Sequence, residues 1–281
     1  MRGHAASADV QQEGMLALAF LARGGETRCE ALMGVDAHVA VLAGMRGHAA
    51  SAWVQQMGMW ALRNLTAGSE TSCEALMGAD AHVAVLAGMR GHAASADVQE
   101  WGMKALICML AGGGETRCEA LMGADAHVAV LAGMRGHAAS AGVQEAGMRA
   151  LCMLAAGSET SCEALMGADA HVAVLAGMRG HAASADVQQA GMKALCNLAR
   201  GSETRCEALM GADAHVAVLA GMRGHAASAR VQEPGMRALC MLAAGSETSC
   251  EALMGADAHV AVLAGMRGHA ASARVQQMGI W

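Results

Sequence analysis

The sequence has one Pro, one Phe and no Tyr. With proline so scarce, long helices can run without breaks, and polyproline or collagen-like architectures are excluded. No apolar run approaches the length of a membrane span, and no signal peptide opens the chain, so membrane insertion is not expected. A net charge of −6 gives no general affinity for nucleic acid. Alternating β-branched runs are missing, which excludes strands as the main element. No Cys-x-x-Cys or His-x-x-x-His pair suggests zinc, and the glycines of "AGGGET" lack the Lys-Ser/Thr of a P-loop.

What the sequence has in excess is Ala, Gly and Met, and it has them in a period. Arg-Gly-His recurs at Arg2, Arg46, Arg90, Arg135, Arg179, Arg223 and Arg267. The spacing of about 44 residues is that of a helical solenoid. The copies are close: residues 147–170 and 235–258 are identical. The residue after each "ET" alternates Arg28, Ser72, Arg117, Ser161, Arg205, Ser249, which indicates duplication of a two-repeat block. Six Cys fall in "ETxCEAL" and four in "ALC" or "ALIC". Stacked repeats lie about 10 Å apart, so thiols of one column are beyond disulfide reach. They read as small buried hydrophobes, which implies a reducing compartment, cytoplasmic or nuclear.

Each unit reads as three helices. The first begins at "TxCEALMG", with Thr71 and Glu74 as a capping box and Gly78 as a stop. The second runs through "DAHVAVLAGM", with Asp80 as its N-cap. The third and longest begins near Ser95 and runs through "VQEWGMKALICMLA". Glycines inside it (Gly14, Gly58, Gly102) each cost roughly 1 kcal/mol against Ala, which predicts a tight but marginal stack. Pro234 lies inside one third helix. Ile107 is a one-residue insertion in another, to be absorbed by a π-bulge or by rotating the remainder of that helix by about 100°. The ends carry no polar capping repeat, which reads as a fragment, a gene-model artefact or part of a larger protein, and exposed apolar ends favour end-to-end self-association.

"GADAHVAVLAGM" followed by "ADVQQAGMKALCNLARGSE" resembles the armadillo repeat family, above all in the Val-Gln and Ala-Leu-x-Asn-Leu-Ala segments. The resemblance covers nearly the whole chain: six pairs of short and middle helices and seven third helices. It implies an all-α, right-handed superhelical solenoid, a single repeat domain over 1–281 with units 1–25, 26–69, 70–114, 115–158, 159–202, 203–246 and 247–281. It departs from the family in the early Asp of the second helix and in the long linker before the third.

Comparison of the copies shows what varies. The residue before each Val of "VQ" reads Asp9, Trp53, Asp97, Gly142, Asp186, Arg230, Arg274. Three after it come Glu13, Met57, Trp101, Ala146, Ala190, Pro234, Met278, and six after it Leu16, Trp60, Lys104, Arg149, Lys193, Arg237, Trp281. Ten after it stand Phe20, Asn64, Met153, Asn197 and Met241, with Met109 equivalent once Ile107 is allowed for. Steps of four and three residues trace one stripe along a helix. All five aromatics, Phe20, Trp53, Trp60, Trp101 and Trp281, lie on it. An exposed face free to drift would vary too, but drift favours bland polar residues, whereas Trp on a variable face is the composition of a binding surface.

In armadillo-like proteins the third helices line a concave groove, so the resemblance places this stripe there. It implies a non-enzymatic scaffold for a protein or extended peptide, with no small-molecule substrate, cofactor or metal. The aromatic N-terminal part and the basic C-terminal part predict a ligand with apolar and acidic portions. Trp60 and Asn64 match the family's peptide-binding pair once. A structural spacer, a designed repeat binder, and single-stranded nucleic-acid binding by the Trp and basic residues are the alternative readings. Equal copies of Ser, His and Asp in each unit read as caps and turns rather than catalysis.

Overall fold

The computed structural model describes residues 4, 6–23, 25–66 and 69–280. These residues form nineteen helices and no strand. Trp281, a predicted site residue, lies outside them. The chain divides into two compact units, Met1–His137 and Ala138–Trp281.

The first unit contains α1 (Ala8–Ala22), α2 (Glu26–Gly34), α3 (Ala37–Gly47), α4 (Ala52–Thr66), α5 (Glu70–Gly78), α6 (Ala81–Gly91), α7 (Ala96–Leu110), α8 (Gly114–Gly123) and α9 (Ala126–Gly136). Third helices α1, α4 and α7 lie side by side, and the second helices α3 and α6 each pack on the third helix that follows. The second unit repeats the plan with α10 (Ala141–Ala155), α11 (Glu159–Gly167), α12 (Ala170–Gly180), α13 (Ala185–Ala199), α14 (Glu203–Gly211), α15 (Ala214–Gly224), α16 (Ala229–Ala243), α17 (Glu247–Gly255), α18 (Ala258–Gly268) and α19 (Ala273–Ile280). Here α10, α13, α16 and α19 form the layer of third helices. The expected three-helix repeat is present throughout.

Caps explain where the helices start, with two corrections. Third helices start after a Ser whose hydroxyl accepts from the Val N–H three residues on, as Ser95 does from Val98 at 3.4 Å. First helix α5 is capped by Ser69, not Thr71: the Ser69 hydroxyl accepts from Ser72 N, and Thr71 is already inside α5; α2 and α8 start after Gly25 and Gly113 with no side-chain cap. Asp80 makes no side-chain cap bond. It adopts φ 56°, as its five counterparts adopt φ of 57° to 60°. Left-handed backbone is costly for most side chains and tolerated by Asp, so this column is held for a two-residue corner between helices.

Pro234 has no N–H to offer. In its copy the Ser228 hydroxyl accepts no cap bond, and Val231 N donates to the Ser228 carbonyl at 3.0 Å instead. The Ile107 insertion produces no π-bulge; α7 stays α-helical and everything after Ile107 moves round by one position. Cys108 therefore stands where Asn64 and Met241 stand: the carbonyls of all three accept from the thiol of a first helix. Met109 is fully buried in the place of a core Leu, not on the stripe. Gly112 at φ 73° and Gly114 at φ 57° turn the chain after the displaced end.

Glycines inside second and third helices are contact points. A Cβ on Gly191 would lie 2.5 Å from Met178 Cγ and 2.6 Å from its Sδ. A Cβ on Gly221 in α15 would lie 2.6 Å from Gln188 Oε1 and 2.7 Å from Met192 Cε. The helices approach closely because these positions have no side chain, which offsets the expected propensity cost.

Candidate functional site

The variable stripe stands on a frame of invariant residues that bond to backbone. Gln55 is buried and donates through Nε2 to Met45 O at 2.7 Å and His48 O at 3.2 Å, closing the C-terminus of α3. Gln99, Gln188, Gln232 and Gln276 do the same in their repeats. His92 Nε2 donates to Ala49 O of the preceding repeat at 2.8 Å, and Arg90 reaches forward to Ala124 O at 3.0 Å. The thiols do more than fill space: Cys29 donates to Ala22 O at 3.2 Å and to Asn64 O at 3.3 Å, joining two repeats. All ten cysteines are free. Burial pushes the Cys29 and Cys73 thiols up, and that of Cys152 to about 11, so these are not reactive thiolates.

Sequence reading saw that these residues do not vary but missed their roles. It noted the alternating Arg as a mark of duplication and missed what the Arg does. Arg117 and Arg205 are buried, whereas Arg28 is exposed. Arg205 donates through Nε to Leu198 O, through Nη2 to Arg200 O, and through Nη1 to Glu159 of the preceding Ser-type repeat. Arg117 pairs likewise with Glu70. The alternation itself was the available signal.

The stripe separates by row. Before the Val, Trp53 is 49% exposed, and Asp97, Asp186 and Arg230 are also exposed. Three residues after it, Met57, Ala146, Ala190 and Pro234 are buried, Trp101 and Met278 are half-buried and Glu13 is exposed, so Met57 does not face outward as expected. This row points between adjacent third helices. Six after it, Leu16, Trp60 and Lys104 are half-buried, whereas Arg149, Lys193 and Arg237 are exposed. Ten after it, Phe20 is 52% exposed and Met153, Asn197 and Met241 are half-buried.

Asn64 corrects another expectation. It is 8% exposed. Its Nδ2 donates to Ala19 O of the preceding third helix at 3.0 Å, and its Oδ1 accepts from Arg63 at 3.1 Å. Asn197 makes the same bond to Cys152 O at 2.9 Å. Both amides tie helix to helix, so the predicted pairing of Asn64 with a ligand backbone would compete with bonds already made and with its burial.

In the first unit three rings form a ladder across three repeats. Phe20 meets Trp60 edge-on with centroids 5.1 Å apart, and Trp60 meets Trp101 at 5.7 Å. Cations line it: Arg23 lies 5.9 Å from the Phe20 ring, Arg63 5.9 Å and Lys104 4.9 Å from that of Trp101. Lys104 also pairs with Glu100, one turn earlier. In the second unit Arg149 pairs with Glu145 and Arg230 with Asp186, while Lys193 and Arg237 have no ionic partner among the described residues.

Among the described residues no three His, Cys, Asp or Glu gather as metal ligands, and no helix is long and apolar enough to cross a membrane. His82 is buried and His127 and His171 are half-buried; desolvation lowers the pKa of each, partly countered by Asp80, Asp125 and Asp169. Their Nδ1 atoms are buried with no partner among the described residues. A depressed folded pKa means stability is fully present above the unfolded value near 6.5 and is lost as pH falls below it. The urea midpoint is expected to drop between pH 7.5 and 5.0, and His171→Gln should flatten that dependence; an identical slope in the variant would assign it elsewhere.

Tandem three-helix repeats, stacked through close third helices, define a helical solenoid of the armadillo class. The family model described as the LRRK2 ARM repeat matches residues 129–280, more than half of the sequence. The chain belongs to the armadillo repeat family. Two crystal structures of engineered proteins share its fold. One has TM-score 0.75 and 20% identity over 85% of this chain and 93% of its own. The other has TM-score 0.83 and 20% identity over 96% of this chain and 63% of its own. A designed armadillo repeat protein in complex with the peptide (KR)4 has TM-score 0.70 and 21% identity, over 81% of this chain and 91% of that one. Comparison with curated proteins gives no match.

Proposed function

We propose that the chain is a non-enzymatic recognition scaffold that binds an extended protein segment along its third helices. The carrying observation is the ladder of Phe20, Trp60 and Trp101, whose rings stack across repeats on the variable face instead of entering the core. Such rings offer large, rigid contact area at low entropic cost. The designed armadillo neighbour with its bound peptide supports peptide recognition by this fold in general. Leu16 and Trp53 extend the apolar surface, and Arg149, Lys193 and Arg237 supply unpaired or weakly paired charge for acidic residues of the partner. Ten free cysteines fit a reducing compartment, cytoplasmic or nuclear.

A peptide array probed with the folded chain should select sequences with apolar and acidic portions. Trp60→Ala should weaken the selected peptides by about 10- to 100-fold, with helicity retained by circular dichroism. Equal affinity in wild type and variant would refute the groove. No binding by a folded chain would favour a structural spacer.

A further inference from the structure

The row before each third-helix Val contains its own template for a ligand. In the second unit Arg230 on α16 reaches back to the preceding third helix. Its Nη2 donates to Asp186 Oδ1 at 3.2 Å and to Gln189 Oε1 at 3.1 Å. In the first unit α1 presents the same two acceptor types at the same spacing, Asp9 and Gln12. Opposite them, where α16 has Arg230, α4 has Trp53.

The two helix pairs pack alike. A Cβ on Gly58 of α4 would meet Met15 Sδ at 3.4 Å, and a Cβ on Gly235 of α16 would meet Met192 Sδ at 3.4 Å. So what Arg230 reaches in one pair, a guanidinium at Trp53 would reach in the other. Asp9 is exposed and has no ionic partner among the described residues. Gln12 donates through Nε2 to Glu13, and that bond leaves its Oε1 as an acceptor. The indole of Trp53 is half open, and on its other side α7 carries a further exposed carboxylate, Asp97.

We infer that Asp9, Gln12 and Trp53 form a receptor for an arginine side chain supplied by the partner. A guanidinium is planar, so it can stack on the indole while its N–H groups fork to the carboxylate and the amide oxygen. A lysine ammonium would keep the charge and lose the stacking and the fork. Asp9 also sits in the first turn of α1, where a carboxylate favours the helix N-terminus; that role constrains neither of its oxygens and leaves them free to pair. Trp53 lies seven residues, about 10 Å, before Trp60 on α4, so this receptor is separate from the aromatic ladder. Its test uses no peptide, so it can fail while the groove stands.

The probe is N-acetyl-arginine amide, with N-acetyl-citrulline amide as the neutral isostere, titrated at constant ionic strength. The readout is the indole N–H resonance of Trp53, assigned with Trp53→Phe. The arginine probe is expected to shift that resonance saturably, with citrulline at least about fivefold weaker. Asp9→Asn should weaken the arginine probe about three- to fivefold. R230W, which exposes Asp186 and Gln189 beside an indole, should add a second responsive resonance. Equal response to citrulline, an unchanged titration in Asp9→Asn, or a silent R230W indole would each overturn the assignment.

Discussion

Gly191→Ala is expected to lose about 1–3 kcal/mol of stability, although alanine is the better helix former by about 1 kcal/mol. The methyl group would enter space held by Met178, whose Cγ and Sδ lie 2.5 and 2.6 Å from it, with Met148 Sδ at 3.3 Å on the other side. Met178 is 2% exposed, so its side chain has no open direction in which to retreat. Gly211→Ala is the control: no atom lies within 4 Å of its added Cβ. That variant should be neutral or slightly stabilised. Urea unfolding of the full chain, read with hydrogen exchange in α13, separates local from global loss, because stability in repeat proteins is a sum of neighbouring terms. Gly191→Ala/Met178→Ala should recover part of the overpacking penalty, as a coupled pair does. A stabilised Gly191→Ala would mean that the methionine yields at no cost.

Arg205→Ala is expected to cost about 2–4 kcal/mol, the largest effect of any charged residue in the second unit. Arg205 is 7% exposed. Its Nε donates to Leu198 O at 3.0 Å and its Nη2 to Arg200 O at 2.7 Å, both at the C-terminal end of α13. Truncation leaves these carbonyls without their donor and opens a hole where the stem lay. The ion pair matters less. Glu159 is 66% exposed on its side chain, so Glu159→Gln should cost under about 1 kcal/mol. Arg205→Lys should fall between, since one ammonium cannot serve three acceptors set in a guanidinium fork. Thermal unfolding of the three variants would order them; a Glu159→Gln loss equal to that of Arg205→Ala would shift the cause to the ion pair.

The repeat, the helix triplet and the stripe were legible because they are periodic, and periodicity survives in sequence. Partner identity is not periodic. Asn64 reads as a surface amide by its offset from Val54, and only the position of Ala19, 45 residues earlier, shows the bond it makes. Met57 sits on the same stripe by angle, yet it is 6% exposed. Asp80 has the residue type of an N-cap, and the left-handed corner that employs it leaves no trace in composition. Gln55 was the largest omission: its acceptors are main-chain carbonyls, which no residue pattern can display. By contrast the placing of the aromatics on one stripe was readable from their offsets; that Phe20, Trp60 and Trp101 touch while Trp53 stands apart was not.

Many bonds between repeats run from Asn, His, Arg and Cys to carbonyl oxygens, and a carbonyl is the same in every copy. A joint made this way does not inspect its neighbour's side chains. Unequal exchange between gene copies could therefore lengthen or shorten the chain, or shuffle the order of its rings and charges, and each new junction would close with bonds already in use. The frame behaves like movable type: the shank of each piece is uniform, and only the printing face carries a message.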